Sequence, residues 1–260
     1  MKSIHANIAR ISTRGYYDLS TGVKLGKNSY YLYPKKSFTK LNGAKELVIM
    51  IHGLRNDKKG AIEKVILAKR RLKKLGYVHP VIGFSYDSNT KGAHLKKSEA
   101  RALRVGQKIA KQNGYNLSRF VIDFKKKNPI TRIRLIGHSL GTEVIRSTIK
   151  KLATSSKNNG LIESVYFFGS SLENNFAQSN KSGKALQKIV KNKVINYYCP
   201  TDEVLRQSHL DGLVKNPLGY MGSLGKTVKK FKQKRIFAKN HRFASYCIML
   251  KSFPLNLHNV

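Results

Sequence analysis

The apolar positions of this chain fall into short unbroken runs, and polar stretches with a helical repeat separate them. Residues 46–51 (Glu-Leu-Val-Ile-Met-Ile) and 81–86 (Val-Ile-Gly-Phe-Ser-Tyr) show no in/out alternation, as expected of central parallel strands buried on both faces. A third run, Ile133-Arg134-Leu135-Ile136, ends at a glycine. Further strands are predicted over 164–170, over 194–198 (broken by Pro200) and, briefly, over 235–238. Helical patterns fill the gaps: 59–75, 184–191, a closing segment over 243–251, and a basic stretch over 96–127 that reads as one long helix or as two joined near Gly114. Behind residue 139, Val144, Ile145, Thr148, Ile149 and Leu152 recur at three- and four-residue spacing, the pattern of a half-buried helix.

Residues 1–45 alternate instead, with Ile8, Ile11, Tyr16-Tyr17, Val23 and Tyr30-Tyr31-Leu32-Tyr33 punctuated by glycines, which predicts one or two short antiparallel strands at a sheet edge. Residues 173–183 are polar and read as a loop, and 205–234 are Gly-rich and irregular with scattered apolar points such as Leu213, Leu218 and Met221. Strands alternating with helices imply an α/β fold: a mostly parallel central sheet, helices on both faces, and an antiparallel edge at the N-terminus. No repeat or linker divides the chain, so residues 1–260 are expected to form a single domain.

Composition narrows the class. At 260 residues and 40% hydrophobic content the chain can bury a full core, and no apolar run approaches bilayer length. The first residues lack a signal-peptide core, so a cytoplasmic location is expected, or a peripheral one on an anionic surface. Cys199 and Cys247 both lie in apolar surroundings that suit reduced, buried thiols, and no Cys/His cluster has metal-ligand spacing. The charge is the unusual feature. Fifty-one Lys+Arg against thirteen Asp+Glu give +38, spread along the whole chain and bunched at 69–74, 125–127 and 229–235. One reading is a polyanionic partner: nucleic acid, an anionic membrane surface or an acidic substrate. The other is lysine-rich composition drift, which accounts for many lysines but not for so few acids.

The chemistry concentrates where the third apolar run stops. Gly137-His138-Ser139-Leu140-Gly141 is a G-x-S-x-G pentapeptide with a predicted strand before it and a helix behind it, the setting of a nucleophile elbow. A helix N-terminus there brings backbone N–H groups and a partial positive charge to Ser139. With the His52-Gly53 loop after an early strand, an acid after a later strand and a histidine before the last helix, the order of parts over residues 46–251 resembles the α/β-hydrolase superfamily, in its lipase- and esterase-like members with a G-H-S-L-G elbow.

The resemblance implies a Ser–Asp–His triad and no cofactor. Ser139 is the candidate nucleophile, and His241, before the final helix, is the candidate base. His209 is its rival; His138 has a supporting place, and His258 lies almost at the terminus. Of six aspartates, Asp202 stands just past a predicted strand end and is the candidate acid, with Glu203 beside it as the alternative. The oxyanion donors implied are the N–H groups of Leu140 and, from the His-Gly loop, Leu54, with Arg55 as second choice; His52 shapes that loop. The activity implied is hydrolysis of a small acyl ester or lipid through an acyl-enzyme, with segments 170–192 and 205–234 as candidate caps. A non-catalytic basic scaffold that binds nucleic acid or another polyanion is the competing expectation. Neither reading sets the oligomeric state.

Overall fold

In the computed structural model, which describes residues 7–26, 29–179 and 181–253, strand β3 (Glu46–Ile51) has all six residues buried and a parallel neighbour on each side. Its alternate side chains feed two separate cores. Leu47, Ile49 and Ile51 join one apolar cluster, while Val48 and Met50 join another on the opposite face. A strand buried on both faces has no polar side to display, hence its unbroken apolar sequence.

Eight strands form one sheet in the order β2-β1-β4-β3-β5-β6-β7-β8. Strands β4 (Val81–Ser85), β5 (Arg132–His138), β6 (Ile162–Phe168) and β7 (Val190–Tyr198) are parallel to β3. At one margin β1 (Arg10–Ser12) pairs parallel with β4, and β2 (Tyr31–Tyr33) pairs antiparallel with β1. At the other, β8 (Phe231–Arg235) pairs parallel with β7. The fold is therefore α/β, mostly parallel, with its antiparallel edge at the N-terminus.

Helices cover both faces. Against Leu47, Ile49 and Leu135 lie α3 (Glu99–Lys127) and α4 (Gly141–Leu152), through Ile109, Leu117, Phe120, Val144 and Ile145, and α5 (Lys181–Ile189), through Leu186 and Ile189. Against Val48, Met50 and Ile136 lie α2 (Lys58–Lys74), through Val65, Ala68 and Leu72, and α8 (Phe243–Cys247), through Phe243 and Tyr246. A short α1 (Lys35–Thr39) adds Phe38 to the first core. Both cysteines are free and buried.

The structure decides one open expectation and departs from others. The basic stretch is the single long helix, α3, running through Gly114 without a break. That glycine is needed by the neighbouring helix: a Cβ there would lie 2.3 Å from Ser147 Cβ and 2.8 Å from Thr148 N on α4. The irregular segment contains α6 (Glu203–Leu210), α7 (Leu218–Met221) and most of β8. The last strand ends at Arg235, before the apolar residues 236–238 where it was expected. Strand β8 sits at the sheet margin with only Phe231 buried, so its exposed lysines hid it from an apolar-run search while discouraging strand addition. The closing helix is shorter than the expected 243–251. Residues of the two expected caps also build the first core: Leu172, Phe176, Leu186, Leu218 and Val228 are buried in it. The reading of His258 lies outside the described residues.

The α3–α4 contact is testable. A Gly114→Ala variant, whose methyl meets α4 backbone, is expected to lose about 1–3 kcal/mol of unfolding free energy in urea titration despite alanine's better helix propensity.

Candidate active site

Strand β5 ends at His138, helix α4 begins at Gly141, and the connection is made in two residues. To turn so sharply, Ser139 adopts φ +51°, a left-handed conformation costly for a side-chain-bearing residue. The turn lies directly on the end of β3: a Cβ at Gly141 would stand 2.4 Å from Ile51 O and 2.6 Å from His52 O. Ser139 N–H remains in the sheet, donating to Phe168 O at 3.0 Å, and Thr142 N–H and Oγ1 both donate to Ser139 O. The strained residue is thus held from both sides with its hydroxyl at the carboxyl edge of the sheet.

Two other strand ends supply its partners. Asp202, just beyond β7, is buried and N-caps α6, its Oδ1 accepting from Leu205 N–H at 3.1 Å. His241 follows β8 in the loop that leads to α8. Its Nδ1 stands 2.7 Å from Asp202 Oδ2, and its Nε2 stands 2.9 Å from Ser139 Oγ. Burial alone would raise the Asp202 pKa, but the hydrogen bonds and charge of His241, the Tyr246 phenol and Leu205 N–H outweigh it and leave the pKa lowered. Asp202 is therefore an acceptor-only carboxylate. It fixes the His241 proton on Nδ1 and leaves Nε2 as the acceptor for the serine hydroxyl.

Tyr246 on α8 donates its hydroxyl to the same Asp202 Oδ2, and burial together with that carboxylate pushes its own pKa far up, so it stays a donor. The sequence reading missed it. The only signal was an aromatic five residues after the candidate base.

His138 holds His241 by its main chain. Its ring lies buried 5.1 Å from the His241 ring and hydrogen-bonds His241 O through Nε2 at 2.8 Å. A carbonyl can only accept, so Nε2 carries the proton. Burial and then the neighbouring His241 lower the His138 pKa to about 3, and Nδ1 has no partner among the described residues, consistent with a neutral ring.

The His-Gly loop after β3 crosses over Ser139, so closely that a Cβ on Gly53 would meet Ser139 Cβ at 2.8 Å. His52 is stacked on Tyr86, accepts Tyr86 N–H at Nε2 and faces Gly53 O through Nδ1 at 3.0 Å; burial, then the Arg14 charge, hold its pKa well down. Asn56 Nδ2 binds the carbonyls of both Gly53 and Leu54, and Arg14 ties down the carbonyls of Asn56 and Asp57. Arg55 N–H is spent on Ser88 O at 2.9 Å, whereas the N–H groups of Leu54 and Leu140 have no partner among the described residues. The side chains of these two leucines both pack against Gly106 of α3.

The rival groups stand elsewhere. His209 Nδ1 accepts Asn216 N–H at the end of α6, and Glu203 is exposed and paired with Arg206 at 2.8 Å. Beside Leu140 a polar cleft of about 500 Å³ opens between α3, α4 and the 212–215 loop.

A family model described as a protein of unknown function (DUF726) matches residues 99–209. An uncharacterised membrane protein of Caenorhabditis elegans is 36% identical over 107 residues, 41% of this chain; the match spans 15% of the relative's length. Similar solved structures include a member of the a/b serine hydrolases without lid from Xanthomonas campestris (14% identity, 80% of this chain and 78% of that one, TM-score 0.42). A lipase-esterase related protein from Clostridium acetobutylicum (11%, 79% and 90%, TM-score 0.41) and a cold-adapted esterase from an Arctic intertidal metagenomic library (17%, 76% and 75%, TM-score 0.40) are also similar. At these identities and TM-scores the chemistry of the site stands on this chain's own residues.

The expected cytoplasmic location is corrected. The matched relative is a membrane protein, and among the described residues no helix is long and apolar enough to cross a membrane, which leaves the compartment undetermined.

A pH prediction follows from the two buried rings. His138 takes up its proton near pH 6.5 when unfolded but only near pH 3 when folded, so the unfolded chain binds more protons between those values. The contribution of such a ring to stability is full above pH 6.5 and is lost with acidification, at about 1.4 kcal/mol per pH unit. His52, depressed in the same sense, adds a second proton. In denaturant titrations from pH 7 to 4, His138→Gln is expected to lower the slope by one proton.

Proposed function

We propose that the protein is a serine hydrolase that cleaves a carboxylic ester through an acyl-enzyme on Ser139, with His241 as base and Asp202 as the group that orients it. One observation carries the reading: a single imidazole bridges a buried carboxylate and a strained serine, at 2.7 Å and 2.9 Å. A hydroxyl is unreactive at neutral pH without such a base. Capping α6 uses only Asp202 Oδ1; its Oδ2 is turned to the imidazole that meets Ser139.

The steps follow from the atoms. Ser139 Oγ attacks the ester carbonyl carbon as its proton passes to His241 Nε2. Asp202 stabilises the imidazolium that results. The carbonyl oxygen, now an anion, settles against the N–H groups of Leu140 and Leu54, about 3 kcal/mol each. Collapse expels the alcohol, which takes the proton from Nε2. Water then gives a proton to the same nitrogen as it attacks the acyl carbon, and collapse breaks the bond to Oγ, which takes that proton back as the carboxylic acid leaves. No cofactor enters any step.

In this reading the substrate is a small acyl ester or lipid, the whole chain acts as one domain, and 170–192 and 205–234 border the acyl site as caps. The +38 charge favours a second reading, a basic scaffold that holds nucleic acid, an anionic membrane surface or another polyanion without catalysis.

Two measurements separate them. On short-chain chromogenic esters, Ser139→Ala is expected to lower kcat/KM by about 10⁴-fold or more, and Asp202→Asn by about 10³–10⁴-fold. A fluorophosphonate should label the wild type, with the adduct on Ser139. Equal inactivity of wild type and Ser139→Ala over several chain lengths, with no adduct, would leave the scaffold reading standing.

A further inference from the structure

The polar cleft beside Leu140 is one end of a longer groove. Its wall includes Lys111 and Arg146, and the same two side chains wall a second depression of about 360 Å³ that continues between α3 and α4 to Lys150 and Lys151. Along the two parts stand five cations, Lys111, Arg146, Lys150, Lys151 and Lys215, against two carboxylates, Glu143 and Glu173.

Glu143 is already spent. Its oxygens take Arg146 Nε at 2.9 Å, Arg146 Nη2 at 2.6 Å and Ser147 Oγ at 2.9 Å. The pairing holds the guanidinium in place and leaves Nη1 without a partner among the described residues. Farther along, Lys151 Nζ lies over the half-exposed Tyr115 ring at 5.6 Å. The walls are close because Gly114 lets the helices meet.

The groove therefore runs from the residue that follows the nucleophile, on whose N–H the oxyanion would rest, into a row of cations, of which Arg146 is held by Glu143. We propose that it is a binding site for a phosphate group on the substrate, so that the ester cleaved at Ser139 carries a phosphomonoester or phosphodiester in its non-reacting part. Guanidinium and ammonium groups in a cleft suit phosphate oxygens, and a guanidinium held by a neighbouring carboxylate, as Arg146 is, meets them at small entropic cost. The proposal rests on the hydrolase reading of Ser139. Two sources share this chemistry, a water-soluble phosphorylated ester and a phospholipid headgroup.

The test uses the full chain and a matched pair of esters, monobutyryl glycerol and monobutyryl glycerol phosphate. Wild type is expected to favour the phosphorylated ester by about tenfold in kcat/KM, a preference that added salt erodes. In the Lys111→Gln/Lys150→Gln/Lys151→Gln variant the ratio should fall to near one. Ester-cleaving wild type without the preference, or a preference intact in the variant, overturns the proposal.

Calorimetric titration of Ser139→Ala with glycerol phosphate supplies a readout independent of turnover. Binding that the three glutamines abolish supports the groove, and no binding overturns it. If wild type cleaves neither ester, the hydrolase reading fails, and the titration still decides whether the groove holds phosphate. A further arm presents phosphatidic acid vesicles. With the lysine dependence present in solution, the same dependence on vesicles identifies a phospholipid headgroup as the source, and its absence on vesicles identifies a soluble ester.

Discussion

The architecture of the site depends on how closely the start of α4 presses on the end of β3. The carbonyls of Ile51 and His52 lie where any side chain at 141 would go, so β5 must turn into its helix within two residues. That compression forces Ser139 into the left-handed region, and the same contact brings the His-Gly loop over its hydroxyl. The strain is offset by ordinary sheet and helix bonds on either side. One steric constraint thus exposes the serine, points a helix N-terminus at it and sets the distance to a second backbone donor.

The remaining parts arrive because parallel strands end at the same edge. Asp202 leaves β7 and His241 leaves β8, and neighbouring strands set their carboxylate and ring side by side. Asp202 does two things at once. One oxygen caps α6 and the other receives both His241 and Tyr246, so the cost of burying the charge is spread over three donors. At the opposite edge of the sheet, Glu46 and Arg134 solve the same problem with a bidentate pair at 2.8 and 2.9 Å and Ser164 as third partner.

Much of this was legible in the chain because it is written locally. A doubly buried strand must be an apolar run, and the elbow needs its glycines at fixed offsets, so β3, β4, β5, the turn at Ser139 and the parallel architecture could all be read. Asp202 and His241 were reached through the family resemblance and their places past a predicted strand and before the last helix. What could not be read depends on partners far away in sequence. Arg14 reaches the His52 loop from an edge segment that looked merely aromatic, and Tyr246 gains its meaning only from a carboxylate 44 residues earlier. Strand β8 lacks an apolar signature because a sheet margin does not require one. Gly114, where the sequence allowed either one helix or a joint between two, is a close helix contact.

Two adjacent residues grip His241 at different points: the ring of His138 at its peptide oxygen and the hydroxyl of Ser139 at its outer nitrogen. Serine and imidazole are therefore both anchored at the end of β5, and the loop that carries His241 cannot drift without first releasing its own backbone. Movement of the excursion between α6 and β8 would reshape the surroundings of the site while leaving the serine–imidazole spacing unchanged.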